Sequence, residues 1–484
     1  MSHSKGSWLL STSCFFSKVG AHDANSKFEN GFRPNWKFKT IQICKYYIVT
    51  IKNLIFFVLF KVLHSLARQK TKLPIKDKIL IDSYVVIENL LRGQKILSDY
   101  MPNLIPVLDK EKLDYVILPR LYRGKSVFSV FRLFRQWRES KENVLTEYQL
   151  ISFIDFFCIL CAALVYPILM YYHFLFLKRH CSIDLRLEYF FWFDLNGSNF
   201  NGIVRYIFSK KLVKYLNNGM KIIQWYEGQI YEKCLNRAIR ESDKFLTIYG
   251  CQLFIFPPEL LNVYIDKNEF KHHLPDVVLV NGTYFLDKNP LFKVGPALRY
   301  SRLYESDSVR IVNQDHLVLL SYFSNNNNFI LNLISKISIQ QKEISWAIKA
   351  HPSCHFDPSN NHHIGSLNNF EITDKNLYEL LPKHGFVIGS ASGSLVEAIA
   401  FGNPVILAAE KNFIEYNYLP DFCKGMLWEV AYDVESFLNA KKKLTVVMEE
   451  YRELRMELVQ RVKRELFNNP TEAQIINSFE LNMK

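Results

Sequence analysis

The stretch Gly385-Phe-Val-Ile-Gly-Ser-Ala-Ser-Gly-Ser-Leu-Val-Glu-Ala-Ile-Ala-Phe-Gly-Asn-Pro-Val-Ile-Leu407 decides the fold class. Phe386 to Gly389 is short, apolar and bounded by glycines, which suits a strand buried on both faces. Apolar residues with helical spacing follow and predict a helix over 393–402. Gly402-Asn403-Pro404 closes that helix, and 404–408 reads as the next strand. Strand, small-residue turn, helix, strand is the repeating unit of a parallel α/β sheet. Ser390, Ser392, Gly393 and Ser394 sit where the helix begins. There, unpaired N–H groups and the helix dipole favour an anion, so hydroxyls and amides together suit a phosphate. Gly389 and Gly393 let backbone approach closely. Ser392 or Ser394 also serves as a helix cap. Glu397, about one turn in, is placed to reach a ribose hydroxyl or to close a capping interaction.

Upstream, Ile344 to Lys349 reads as a strand of the same sheet, and His351-Pro352 follows it directly. A histidine past the carboxyl end of a parallel strand points into the cleft mouth, and the proline ends the strand. Alone, such a histidine is most often structural; beside a serine-rich phosphate turn, a ligand role becomes the better reading. Strands at 316–322, 344–349, 386–389 and 404–408, with helices near 327–337, 376–381, 393–402 and 434–465, make one α/β unit over 315–484.

A second α/β unit precedes it at 78–314. Strands are expected at 78–85, 113–118, 187–195, 221–226, 244–249 and 276–280, with a helical stretch around 86–110 and an apolar insert over 120–180. At 484 residues a division into domains is the default. Two successive parallel sheets imply a ligand cleft between them. Residues 1–77 hold a polar arm (1–40) and a basic apolar helix.

Three segments suggest a membrane surface. In 41–67, Lys45, Lys52 and Lys61 interrupt an apolar run, which fits a helix lying on anionic lipid better than a span. In 120–141, Phe128, Phe131, Phe134 and Trp137 alternate with Arg132, Arg135 and Arg138. The stretch 150–177 is long enough to cross a bilayer. Basic residues flank both of its ends, however, and one crossing would split the first sheet, so a re-entrant or interfacial helix is expected. A net charge of +13 favours phosphate-bearing partners; no nucleic-acid motif accompanies it. The nine cysteines form no disulfide framework and suit a reducing compartment. Cys158 and Cys161 read as two buried thiols. No metal-ligand spacing appears, and adjacent His272 and His273 cannot easily converge on one ion.

Over 316–410 the order strand, His-Pro, then G-S-x-S-G-S-x-x-E-A-x-x-x-G-x-P-V-I resembles the donor domain of bacterial GT-B glycosyltransferases of capsule, lipopolysaccharide and teichoic-acid assembly. CMP-sugar users of the sialyl and Kdo type, and the surface carbohydrate biosynthesis proteins, are the most similar. The resemblance implies two Rossmann-type domains facing a cleft, and a donor phosphate held by His351, Pro352, Ser390, Ser392, Gly393 and Ser394. It also implies ribose or base contact by Glu397. In the first unit, Trp225-Tyr-Glu-Gly-Gln229, Arg237 and Gly250-Cys-Gln252 resemble the E-x-Q…G-x-Q-H pattern of the surface carbohydrate proteins, with Leu253 where a histidine is expected. That places Gln229, Arg237 and Gln252 on the acceptor side. Tyr226-Glu-Gly228 retains one acid of the sialyl enzymes' acidic motif, so Glu227 becomes the candidate general base; binding acceptor hydroxyls or capping a helix is its equal rival.

The expectation is therefore metal-independent, cofactor-free transfer from a nucleotide-sugar, CMP-linked by preference, to a glycan or lipid-linked acceptor. The expected place is the cytoplasmic face of the inner membrane, held peripherally or monotopically. A CDP-polyol phosphotransferase and a catalytically degenerate membrane scaffold are the alternatives.

Overall fold

The computed structural model describes residues 34–67, 75, 79–122, 126–140, 142–180, 192, 195–257, 265, 271–305, 315–322, 324–351, 369–411 and 416–482. Two six-stranded sheets carry the chain, and every strand pair in both is parallel. The first contains β1 (Ile79–Val86), β2 (Tyr115–Tyr122), β3 (Lys221–Trp225), β4 (Thr247–Cys251), β5 (Val277–Val280) and β6 (Phe292–Val294), in the order β2-β1-β3-β4-β5-β6. The second contains β7 (His316–Leu319), β8 (Trp346–Lys349), β9 (Phe370–Ile372), β10 (Phe386–Gly389), β11 (Val405–Ala408) and β12 (Trp428–Ala431), in the order β12-β11-β10-β7-β8-β9. Helices that matter below are α1 (Trp36–Ala67), α2 (Val127–Glu139), α3 (Phe153–His180), α4 (Gly197–Leu212), α5 (Ile230–Arg240), α6 (Ser324–Gln340), α7 (Ser394–Phe401), α8 (Val434–Glu450), α9 (Arg452–Leu466) and α10 (Glu472–Ser478).

The strands form where continuous Val/Ile/Leu runs can be buried on both faces, as in β10, β11 and most of β1. Order matters more than membership. In each sheet the chain starts near the middle, moves outward, then returns to the other side of its first strand. The switch falls between β1 and β3 in one sheet and between β7 and β10 in the other. Crevices outside the carboxyl ends of strands at such switch points are where open α/β sheets bind ligands. Beyond Cys251, Ile255 lies 3.8 Å from a Cβ placed on Gly393, which lies beyond the end of β10. The carboxyl edges of the two sheets therefore face each other.

The expected α/β architecture of two Rossmann-type parallel sheets across a cleft is what the chain adopts. Short strands β6, β9 and β12 go unforeseen, because three or four edge residues give no periodicity. The strand expected at 187–195 falls largely outside the described residues, and Trp192 within it is helical. The single helix expected over 434–465 breaks at Tyr451 into α8 and α9. Beyond α9 the chain returns to the first sheet. Asn468 receives the Ala297 N–H on its carbonyl at 2.9 Å, while Ile475, Phe479 and Leu481 are buried with Tyr249 and Leu279.

The apolar segments behave unequally. Helix α1 begins at Trp36, inside the stretch expected to be an unpatterned arm. Residues 120–122 belong to β2, and Arg120 is buried there rather than facing a membrane. Helix α2 sends Val130, Leu133, Phe134 and Trp137 into the protein core, leaving Phe128 exposed; its apolar stripe is internal packing. Helices α1 and α3, in contrast, keep large apolar side chains exposed, among them Ile48, Ile51 and Ile55 on α1 and Phe153, Ile154 and Ile168 on α3. Both contain windows long and apolar enough to cross a membrane, with mean hydropathy 1.7 for Trp36–Ala67 and 2.3 for Phe153–Tyr172. Cys158 and Cys161 are exposed on α3, not buried. Pro167 lies inside α3 and has no N–H to give the carbonyl of Ala163. Tyr46 on α1 supplies that bond, donating its hydroxyl to the Ala163 carbonyl at 2.8 Å, and Tyr47 donates to Leu164 at 3.0 Å. The two helices are thereby fastened at the point where the proline weakens one of them.

Candidate functional site

The carboxyl edge of the first sheet is charged and buried. Asp82 in β1 accepts two hydrogen bonds from Arg120 in β2, at 2.9 and 2.7 Å, and one ion-pair contact from Arg205 of α4 at 2.7 Å. Arg120 also donates to Glu232 of α5, and Arg205 donates to Glu147 at 3.1 Å. Burial alone would raise the Asp82 carboxyl, but the two guanidinium groups hold it below the usual range. Arg120 stacks under Tyr84 and Tyr231, 5.2 and 5.6 Å from the ring centroids.

Glu227 stands at the end of this edge, just past β3 and beside the switch point. It is half-buried, and Gln229 donates its side-chain amide to it. Burial, then the neighbouring Glu232 carboxylate, pushes its pKa up to about 7. Gln229 in turn accepts the Tyr84 hydroxyl at 2.8 Å. Glu232 takes the role of a helix-capping acid: its carboxylate receives the backbone N–H of Gln229 at the start of α5. Sequence reasoning missed Glu232, although Gln229-x-x-Glu232 carries the spacing of a capping box. It also missed Asp82 and Arg120, whose partners lie far away in sequence.

The other acceptor-side residues separate. Gln252 follows β4 at the same edge, buried, its side-chain nitrogen without a hydrogen-bond partner among the described residues. Leu253 beside it is core packing. Arg237 is not brought to the edge. It lies two turns along α5, running away from the cleft by about 10 Å, and bonds Glu241. Burial opposes ionisation of Glu241, but Arg237, Tyr206 and Lys210 hold its carboxyl down to about 2.

Across the cleft the second edge carries no such charge network among the described residues. Ser390 follows β10, fully buried, its hydroxyl without a partner among the described residues. Gly393 already has helical backbone angles (φ −60°, ψ −23°), and the Ser392 hydroxyl before it accepts the Ser394 N–H at 3.3 Å. The expected cap by Ser392 is therefore present, and the Leu395 N–H bonds the Ser392 carbonyl at 3.2 Å. A Cβ at Gly389 would fall 2.9 Å from the Leu319 carbonyl, so a bulkier residue would push β10 from β7. His351 follows β8, its ring edge-on to Tyr322 at 5.9 Å. Gly389, Leu319 and Lys349 are in register across β10, β7 and β8. At the spacing of adjacent strands, the serine turn and the histidine segment start about 10 Å apart along one edge. Pro352 lies outside the described residues.

Glu397, one turn into α7, is half-buried and accepts the Tyr378 hydroxyl. Burial raises its pKa, against Arg299 and that hydroxyl, which lower it. Arg299 is a further residue that sequence reasoning missed. It covers the Phe254 ring at 4.4 Å, keeps Nη1 buried without a hydrogen-bond partner among the described residues, and Phe254 packs on Trp225 at 4.8 Å. A line of contacts, Trp225 to Phe254 to Arg299, with Glu397 in Arg299's field, thus joins the Glu227 corner to the serine turn. Among the described residues, no group of three or more His, Cys, Asp or Glu is placed to hold a metal ion.

No protein-family model and no curated protein matches the chain in sequence. Among solved structures, it is similar to UDP-GlcNAc 2-epimerase from Neisseria meningitidis bound to UDP-GlcNAc, at 9% identity and a TM-score of 0.47, over 84% of this chain and 100% of that one. The wall teichoic acid polymerase TagF follows at 11% identity and 0.43, over 92% and 98%. A calicheamicin glycosyltransferase gives 11% and 0.45, over 84% and 98%.

Proposed function

We propose that the chain is a glycosyltransferase that takes a sugar from a nucleotide donor, CMP-linked by preference, and passes it to an acceptor hydroxyl during assembly of a surface polysaccharide or lipid-linked glycan. One observation carries this reading. Two parallel sheets turn their switch points toward one cleft, a near-neutral-pKa carboxylate on one side and on the other a helix start ringed by serines, with the buried Ser390 hydroxyl lacking a partner among the described residues. Glu227 would take the acceptor proton; a base titrating near the working pH is best matched to that task. Ser390, Ser392, Ser394, the N–H groups of α7 and His351 would hold the donor phosphate and stabilise its growing charge as the glycosidic bond breaks. Arg299 and Glu397 would bound the nucleoside. Transfer would proceed without a divalent ion, because those donors already face the leaving phosphate. The exposed apolar faces of α1 and α3, with a net charge of +13, support work at an anionic cytoplasmic membrane face.

The test is a nucleotide screen by thermal shift with CMP, CDP, UDP and GDP, each in excess EDTA. Stabilisation by CMP above the others is the expected result. Preference for CDP would move the reading to polyol-phosphate transfer, and no response to any nucleotide would leave a scaffold.

A further inference from the structure

A cavity of about 400 Å³ lies in the first domain, away from the serine turn. That size falls within the range of small-ligand sites. Its outer wall is α1, through Lys52, Asn53, Phe56, Phe57 and Phe60. Its inner wall is the carboxyl edge of β1 and β2, through Tyr84 and Arg120, completed by Thr146, Glu147, Tyr231 and α4. Chemistry is therefore graded across it, aromatic on the α1 side and polar on the strand side. Thr146 is buried, and its hydroxyl finds no hydrogen-bond partner among the described residues. The mouth lies where Lys52 and Phe56 are exposed, on the same helix that exposes Ile48, Ile51 and Ile55. The polar end is two hydrogen bonds from Glu227: Tyr84 donates to Gln229, and Gln229 donates to Glu227.

We infer that this cavity binds an amphiphile, an apolar chain lying against Phe56, Phe57 and Phe60 and a hydroxylated head directed toward Tyr84, Thr146 and the Glu227 corner. That this amphiphile is the acceptor rests on the glycosyltransferase reading; that the cavity takes it does not. A chain-bearing molecule would enter from the exposed apolar face of α1, where a free sugar has nothing to hold it. Apolar burial would supply the affinity and the polar end the orientation. A soluble-acceptor enzyme has no use for an aromatic wall at the base of its acceptor path.

The experiment uses the full chain in lipid nanodiscs and a decyl glucoside carrying a diazirine in its alkyl chain, with labelled peptides read by mass spectrometry. Labelling is expected on 53–60 and on Tyr148 or Phe200, displaced by plain decyl glucoside and not by glucose. Val204→Trp, which fills the cavity, should lower that labelling by about tenfold or more. Asn201→Trp, at a partly exposed wall position, repeats the test where Val204→Trp fails to fold. Labelling confined to Ile48, Ile51 and Ile55, or unchanged by both filling variants, overturns the inference. A labelled cavity in a protein that binds no nucleotide keeps the amphiphile site and removes the transferase reading. An unlabelled cavity in a protein that binds nucleotide does the reverse.

Discussion

The two facing edges of the cleft are built from opposite materials. On the first sheet, Asp82, Arg120, Arg205, Glu147 and Glu232 form one buried charge network, and Glu227 stands at its end with a pKa raised to about 7. On the second, Ser390, Ser392 and Ser394 surround the start of α7, with no buried ion pair beside them among the described residues. The difference separates two tasks. Moving a proton needs a carboxylate whose charge is balanced on a knife-edge by neighbours, and neighbours that stay put. Holding an anion needs hydroxyl and N–H donors gathered at the positive end of a helix dipole.

The largest effect that could break this contrast is at Glu227. Glu227→Gln should lower turnover by about a hundred- to ten-thousand-fold while nucleotide affinity holds. In the parent, kcat/KM should rise with pH through about 7, as Glu227 loses its proton, and the variant should lack that limb. Stability should move the other way. A raised carboxyl pKa means the folded chain holds the proton more tightly than the unfolded one, so stability falls as pH climbs from the ordinary glutamate range through 7. Glu227→Gln removes that loss and should melt higher than the parent at pH 8. Equal melting with normal turnover would return Glu227 to a structural role.

Next comes the network itself. Arg120→Met leaves Asp82 and Glu232 buried without their shared cation, and should cost about 3–5 kcal/mol in urea unfolding. A loss below about 1 kcal/mol would mean that the first edge is solvated, and the contrast would fail.

On the neutral edge, His351→Ala should weaken CMP binding by roughly ten- to a hundredfold, the worth of a charge-assisted hydrogen bond. Titration of the folded variant by calorimetry reads this directly, and unchanged affinity removes His351 from the donor site. The smallest change sharpens the comparison most. Ser390→Ala deletes a buried hydroxyl that has no partner among the described residues, so thermal stability should stay level or rise slightly, while CMP affinity falls several-fold, by about 1 kcal/mol. A drop in stability with unchanged affinity would show that the hydroxyl serves the fold.

Much of the second edge is legible in the sequence because its parts are contiguous. Strand, turn, helix and strand run in order from Gly385 to Leu407, and each boundary carries a local signal. Gly402, in the left-handed region at φ +106°, closes α7 where the sequence puts its end. The first edge is legible only in fragments. Asp82, Arg120, Arg205 and Glu232 are spread over 150 positions of chain, and nothing local says that an arginine near an aromatic helix belongs to a strand with its side chain buried. Arg120 and the stripe on α2 read as membrane-facing because helical periodicity reports that one face is apolar, not what covers it.

The sequence by itself determined the α/β class, the parallel strands in the middle of each sheet, the start of α7 and the place of Glu227 just past a strand. These follow from short-range rules: buried runs, turn residues and helix spacing. Only the tertiary structure decided that Arg237 turns away from the cleft, that Arg299 joins its two sides, that α10 crosses back to the first sheet, and that Tyr46 satisfies the carbonyl freed by Pro167. Each of those depends on which distant groups meet. A buried charge or an orphaned carbonyl must find a partner, but its own neighbours in the chain do not specify which one.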